Sequence, residues 1–238
     1  LLDLDGTLLD TAPDLIGSMQ DLLRQDGMAE PLSGHLAPVV SHGSAAMLAR
    51  ALNIPERGHR MDRIRPRFLQ HYRNRISQST RPFAGMPETL AGIEAAGLRW
   101  GVVTNKPEWL TLPLLEAQGL LSRAACVIGG DTVAAGKKPH PAPVLCACQR
   151  LGLAPGQTVL VGDAQRDITA GRDAGTWTLA AMFGYLSAED HPARWGADAC
   201  LARPRDLLDW LRRVNLRQPG LAGGSAPAAE RHLALDHG

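Results

Sequence analysis

The sequence predicts an α/β fold, a Rossmann-like parallel sheet core with an inserted α-helical cap. Three observations predict it. After Pro82, short apolar runs alternate with helical patterns, the rhythm of strands buried on both faces and joined by crossover helices. At the start of the chain one apolar run, Leu1 to Leu4, stands alone, and a single strand is stable only inside a sheet. Between the two, residues 14–81 carry helical fragments and no good strand, so they form an insertion between the first strand and the rest.

The elements follow in order. Leu1 to Leu4 is the stump of a strand, cut by Asp5-Gly6-Thr7. Thr11-Ala12-Pro13-Asp14 opens a helix with a Thr cap, a Pro in the first turn and an acid three residues after the cap. Leu15, Met19, Leu22 and Leu23 continue it at helical spacing. Breakers fall at Pro31, Gly34, Pro38, Pro55 and Gly58, and Pro66 is expected to split an amphipathic helix over 61–76. Beyond Pro82-Phe83-Ala84-Gly85, Thr89 to Ala96 reads as a helix closed by Gly97, and Leu98 to Val103 as a strand. Glu108 to Gln118 is a helix closed by Gly119. Ala125 to Ile128, Thr158 to Val161 and Thr176 to Ala181 read as strands. Ala142 to Leu151, Asp167 to Asp173 and Arg205 to Val214 read as helices. The expected division is a core of residues 1–13 plus 85–215, a helical cap of 14–84, and a disordered tail of 216–238 rich in Gly, Ala and Pro.

Composition narrows the function. With 45% hydrophobic and 21% charged residues over 238 positions, the chain is globular, and with 4% aromatics its core is aliphatic. Twenty-five basic against 24 acidic residues give +1, so no net field draws it to nucleic acid or an anionic membrane. Any bound anion must be caught by a local constellation. The four cysteines, Cys126, Cys146, Cys148 and Cys200, form no Cys-x-x-Cys pair and read as buried thiols in a reducing compartment. No apolar run reaches the ~18–20 residues of a membrane span, and the first residues lack a basic and an apolar signal region. The expectation is a soluble cytoplasmic protein of open oligomeric state.

Four strand or loop ends carry chemistry. Asp3 and Asp5, two apart at the end of a strand, start toward the same side, followed by Gly6 and Thr7. Unpaired carboxylates are costly in a core, and acids at the carboxyl edge of a parallel sheet fall where such folds bind ligands. Val102-Val103-Thr104-Asn105-Lys106 ends the next apolar run in a hydroxyl, an amide and a cation. Gly136-Lys137-Lys138-Pro139-His140-Pro141 sets cations in a stiffened loop. Val159-Leu160-Val161-Gly162-Asp163 ends in an acid, with Asp167 four residues on. That inventory suits a metal-bound phosphoryl group, because carboxylates hold hard divalent ions and a lysine offsets the gathered charge. All the lysines, Lys106, Lys137 and Lys138, fall in two of these loops, while the other basic residues are arginine.

Asp3-Leu4-Asp5-Gly6-Thr7-Leu8-Leu9-Asp10, Val103-Thr104-Asn105-Lys106, Lys138-Pro139 and Gly162-Asp163-Ala164-Gln165-Arg166-Asp167 resemble, in order, the four motifs of the haloacid-dehalogenase-like hydrolases. The resemblance spans roughly residues 1–215. Val102 to Pro107, Gly129-Gly130-Asp131-Thr132 and Lys138 to Pro143 are similar to the phosphoglycolate phosphatase branch. Gly97 to Gly101 and His191 to Asp198 look more like the N-acetylmuramic acid 6-phosphate phosphatases of that branch. Two features depart from the family: only Leu1 and Leu2 precede Asp3, with Leu2 where a Phe is usual, and the tail has no counterpart.

The resemblance implies a Mg²⁺-dependent phosphomonoesterase acting on a small phosphorylated metabolite through an aspartyl-phosphate. Asp3 is then the nucleophile and Asp5 the general acid and base. Mg²⁺ is held by Asp3, the main-chain carbonyl of Asp5, and Asp163. Thr104 and Asn105 fix phosphoryl oxygens, and Lys138 pairs with Asp3 or the phosphate. Asp167 orients Lys138 or the metal shell, with direct metal binding as the other reading. Ser41, His42 and Gly43, in a polar loop of the cap ending at Ser44, either reach the substrate or simply cap the helix that follows. The arginine-rich stretch 57–81 is a solvated face or an anion guide, and His140 a loop residue or an acid/base group. The expected substrate is a small carboxylated ester, phosphoglycolate first and the amino-sugar phosphate second, with a phosphomutase of the same fold as a third reading. A dehalogenase would lack the acid at Asp5. A phosphoacceptor receiver would carry its Asp on a later strand without a helical insertion, and a non-catalytic module would not fill every chemical position. Nucleotide-binding glycine loops are absent from the sequence.

Overall fold

A computed structural model of the chain describes residues 1–29 and 33–217. The elements run β1 (Leu9–Asp10), α1 (Ala12–Gln25), a short α2 (Ser33–Leu36), α3 (Ser44–Leu52), α4 (His59–Arg75) and β2 (Arg81–Pro82). They continue α5 (Met86–Ala95), β3 (Val102–Val103), α6 (Glu108–Ala117), β4 (Val127–Ile128), α7 (Ala142–Leu151) and β5 (Val159–Gly162). The last are α8 (Gln165–Ala174), β6 (Trp177–Ala181), β7 (Ala199–Leu201) and α9 (Asp206–Arg217). Pro31 and the expected tail from residue 218 onward lie outside the described residues. Among the described residues no helix is long and apolar enough to cross a membrane.

The sheet is parallel, and the N-terminal residues sit in its middle. Leu2 bridges Val102 on one side and Val161 on the other. Its amide donates to the Gly101 carbonyl at 2.9 Å, and the Asp3 amide donates to Val161 at 2.9 Å. The N-terminal segment thereby joins the β4–β3 pair to the β5–β6–β7 ladder. Apolar clusters fill both faces. Leu90, Leu114 and Trp210 of α5, α6 and α9 pack in one. Val144, Leu151 and Ala174 of α7 and α8 pack in the other. Both faces being covered explains why these strands are apolar throughout.

The insertion forms its own core. Met19, Leu22 and Leu23 of α1 meet Met47 and Leu48 of α3 and Met61, Ile64, Phe68 and Tyr72 of α4. α4 corrects one expectation, because it runs unbroken through Pro66. A mid-helix proline costs about 3 kcal/mol, and the carbonyl it leaves unpaired must find another partner. Pro66 is exposed, so water meets that carbonyl, while the buried face at 61, 64, 68 and 72 packs without interruption.

Other boundaries also shifted. The expected strand from Leu98 is a strand only at Val102–Val103, since Leu98 still closes α5 through its amide to the Ile93 carbonyl and stays exposed. β7 and the β1–β2 pair were not foreseen. β1 and β2 pair antiparallel, Leu9 opposite Pro82 and Asp10 opposite Arg81, where the chain leaves the sheet and returns to it. Thr11 makes no side-chain cap on α1, because its hydroxyl donates to Asp5 instead, at 2.6 Å. Cys126 and Cys148 are buried, but Cys200 is exposed on β7.

Asp14 ties the two crossings together. Its fully buried carboxylate accepts the Ser79 amide at 2.9 and 3.0 Å, the Thr80 amide at 2.8 Å and the Thr80 hydroxyl at 2.8 Å. Asp14→Ala leaves those donors buried without a partner, and the expected loss is about 3 kcal/mol of unfolding free energy. Urea denaturation checks it; a variant as stable as the parent would show that water replaces the carboxylate.

Candidate active site

The motif residues converge at the carboxyl edge of the sheet. Asp3 ends the central segment, Thr104 and Asn105 follow β3, and Asp163 follows β5. Asp167 lies in the first turn of α8, and Lys138 in the loop before α7. Asp3, Thr104, Lys138, Asp163 and Asp167 are all buried, none more than 3% exposed. Carboxylate oxygens of Asp3, Asp163 and Asp167 lie within 4.8 Å of one another.

Three carboxylates this close need compensation. The Lys138 ammonium supplies it, 2.8 Å from Asp3 and 2.7 Å from Asp167, and it donates to the Val103 carbonyl at 2.6 Å. Of the alternatives raised by the sequence, Lys138 therefore pairs with Asp3, and it also holds Asp167. Burial alone lowers its pKa, but the carboxylates of Asp167 and Asp3 carry the net shift upward, so it stays charged. The opposite effect governs Asp163. Burial, then the charges of Asp3 and Asp167, push its carboxyl up to about 7. Burial and Asp3 likewise raise Asp167.

Close packing shapes the pocket around Asp163. Its Oδ1 accepts the Thr7 hydroxyl at 3.1 Å, and its Oδ2 accepts the Tyr185 amide at 3.0 Å. Gly6 is required here twice over: its φ is 85°, and a Cβ on it would fall 2.0 Å from Asp163 Oδ2. Asp163 Oδ2 also accepts the Ser41 hydroxyl at 2.5 Å, and the Arg166 guanidinium donates to the Ser41 carbonyl. The cap loop thus reaches the cluster through Ser41. Its neighbours do not: His42 and Gly43 are exposed, Gly43 as the residue capping α3, and the Ser44 hydroxyl accepts from Arg65 at 2.8 Å.

One other side chain has a different partner from the one expected. The Asn105 side chain, foreseen on a phosphoryl oxygen, spans the Lys138 main chain, donating to its carbonyl at 2.8 Å and accepting its amide at 2.9 Å. It holds the lysine loop in place. The Asp5 side chain stands apart from the three-carboxylate cluster, held by Thr11 and by the Lys106 ammonium at 2.7 Å. Thr104 accepts the Lys106 amide at 3.2 Å through its hydroxyl oxygen, which leaves the hydroxyl proton to donate elsewhere. Lys137 is exposed and His140 is a loop residue whose Nδ1 accepts the Ala142 amide. In the arginine-rich stretch, Arg67 pairs with Asp26 and Arg75 with Asp21, which makes these two links between cap helices.

Residues without an assigned role in the sequence also meet here. Lys106 is buried, and Asp5 raises its pKa against the opposing effect of burial. Tyr185 donates its hydroxyl to Asp10 at 2.5 Å and accepts the Ala12 amide at 2.8 Å. Tyr72 brings its ring to 4.4 Å from the Lys106 nitrogen. The chain has only two tyrosines, and the fold brings both to the seam between core and cap. Their scarcity is the same kind of signal as the scarcity of lysine, and it was there to be used.

The donor set fits a hard divalent cation. Buried carboxylate oxygens that repel one another, with one carboxyl raised to about 7 by burial and then by that crowding, are relieved by a cation and by few other ligands.

The chain is similar in sequence and fold to known proteins. A family model described as haloacid dehalogenase-like hydrolase matches residues 1–181. An N-acetylmuramic acid 6-phosphate phosphatase of Pseudomonas aeruginosa is 43% identical over 214 residues, covering 90% of this chain and 94% of its own. A phosphoglycolate phosphatase of Xanthomonas campestris pv. campestris is 43% identical over 209 residues, covering 88% and 94%. The crystal structure of a predicted phosphoglycolate phosphatase from Haemophilus somnus superposes with a TM-score of 0.78 at 28% identity, covering 88% of this chain and 96% of that one.

Proposed function

The chain belongs to the haloacid dehalogenase-like hydrolases, and from that premise we propose that it hydrolyses a small carboxylated phosphate monoester, 2-phosphoglycolate first. One observation carries the reading: Asp3 is buried, held by Lys138, and flanked by two further carboxylates at the sheet edge. The core, residues 1–13 and 85–215, would carry the phosphoryl chemistry, and the cap, 14–84, would choose the leaving group.

In this reading the Asp3 carboxylate attacks phosphorus, and the P–O bond to the leaving group breaks as an aspartyl-phosphate forms. Asp5 delivers a proton to the departing oxygen and later takes one from the attacking water. The free hydroxyl proton of Thr104 binds a phosphoryl oxygen. Lys138 holds Asp3 in place and offsets its charge, and Asn105 keeps Lys138 there. Mg²⁺ would be held by Asp3, the main-chain carbonyl of Asp5 and Asp163, with Asp167 beside it, and would supply charge neutralisation for an anionic substrate. Ser41, whose hydroxyl donates to Asp163 Oδ2, would bring the cap against this space and help keep water from it.

The second substrate, an N-acetylmuramic acid 6-phosphate, is favoured by the Pseudomonas relatives. The segment that suggested it in sequence has another explanation. Trp195 packs against Ile168 and Ala180, and Asp198 accepts the Thr178 amide at 2.7 Å and its hydroxyl at 3.0 Å. These residues brace β6 and say nothing about the leaving group. The test is a panel of phosphate monoesters assayed with Mg²⁺ and with chelator. Hydrolysis of phosphoglycolate ahead of sugar phosphates, lost in chelator and restored by Mg²⁺, is expected. Preference for the amino-sugar phosphate would replace the first substrate by the second, and full activity in chelator would remove the metal.

A further inference from the structure

Resting on that reading, we propose that Lys106 and Tyr72 form a two-donor subsite for a carboxylate on the leaving half of the substrate. Lys106 follows β3 in the core, and Tyr72 lies on the inner face of α4 in the cap, so the pair spans the space between the two. The Lys106 side chain is 6% exposed, and its ammonium makes one hydrogen bond, to Asp5 Oδ1 at 2.7 Å. Two of its three donors remain. The ammonium stands 4.4 Å from the centre of the Tyr72 ring. Tyr72 is fully buried, yet its hydroxyl has no hydrogen-bond partner.

Buried hydroxyls nearly always find a partner, and a tyrosine serving only to fill a core would be replaced by phenylalanine without loss. A lysine serving only to pair Asp5 would not need an unsatisfied donor beside it. Together the two residues present an ammonium that only donates and a hydroxyl able to donate, which favours an anion that only accepts, such as a carboxylate. The phosphoryl end already has its own cation in Lys138, so Lys106 is free for a different group.

Position then selects the substrate. Asp5 faces the leaving oxygen in the proposed reaction, and Lys106 is bonded to Asp5. The Lys106 ammonium therefore lies up to about 5–6 Å from that oxygen, two hydrogen-bond lengths in series. A carboxylate bonded to the ammonium can thus come within about 3 Å of the ester oxygen. A carboxylate one carbon from the ester oxygen fits this span. A carboxylate carried on the far side of a sugar ring does not.

The experiment compares kcat/KM for 2-phosphoglycolate and for ethyl phosphate, which lacks the carboxylate, in the parent, Lys106→Met and Tyr72→Phe. The ratio of the two values cancels the folded fraction of each preparation, so a variant that folds poorly still reports. The parent is expected to prefer phosphoglycolate. The preference falls on the order of 10²-fold in Lys106→Met and about 10-fold in the near-isosteric Tyr72→Phe, chiefly through KM for phosphoglycolate. A preference kept in both variants overturns this subsite alone and leaves the proposed function standing. A parent with no preference for the carboxylated ester overturns both.

Discussion

Asp3→Asn is expected to lower kcat by on the order of 10⁴-fold or more, on every phosphate ester, with the melting temperature of the metal-free protein unchanged or raised. The neutral amide cannot attack phosphorus, and losing a nucleophile removes a step that no neighbour performs. Stability goes the other way for a local reason. The side-chain oxygen of asparagine still accepts the Leu4 amide that Asp3 Oδ1 accepts at 2.7 Å. One of three crowded buried charges is gone, so Asp163 and Asp167 repel one neighbour fewer. Steady-state assays and thermal melts in chelator measure the two effects on one preparation. Retention of more than a few per cent of activity would take the nucleophile's role from Asp3.

Lys138→Met is expected to lose both activity and stability, about 3–5 kcal/mol of the latter in the absence of metal. The lysine side chain is fully buried; its ammonium lies 2.8 Å from Asp3 and 2.7 Å from Asp167 as ion pairs and donates to the Val103 carbonyl. Methionine fills a similar volume, so the loss comes from charge: two carboxylates are left buried without their cation. Adding Asp167→Asn to Lys138→Met removes one of those stranded charges. The double variant should recover at least half of the lost stability while remaining inactive. Chemical denaturation of the parent, the two single variants and the double variant gives the coupling between the sites. If Lys138→Met alone unfolds at the parent's midpoint, the cluster is compensated by something other than this ammonium.

The helices were legible wherever a local pattern sufficed. α7 spans Ala142–Leu151, the range its periodicity and Pro-rich entry predict, and Gly152 closes it in the left-handed region. α4 was misread because local chemistry forbids Pro66 inside a helix, while the packing of Met61, Ile64, Phe68 and Tyr72 overrides it. β7 was missed because three residues, Ala-Cys-Leu, carry no period to read. The β1–β2 pair was missed because its two strands are 2 residues each and about 70 positions apart in the chain.

The same division runs through the site. By itself the sequence determined the fold class, the four loops that carry the chemistry and the residue types in them, because these depend on spacing along the chain and on where apolar runs stop. Tertiary structure alone decided the partners. Lys138 meets Asp3 across more than a hundred residues, and Lys106 meets Asp5 across 101. Asn105 turns to the Lys138 main chain, Ser41 comes down from the cap onto Asp163, and Tyr72 ends buried beside Lys106 with its hydroxyl unpaired. Which donor reaches which acceptor depends on how the helices of the cap and the strands of the core pack. Packing is set by burial summed over the whole chain, and no short stretch of residues encodes it.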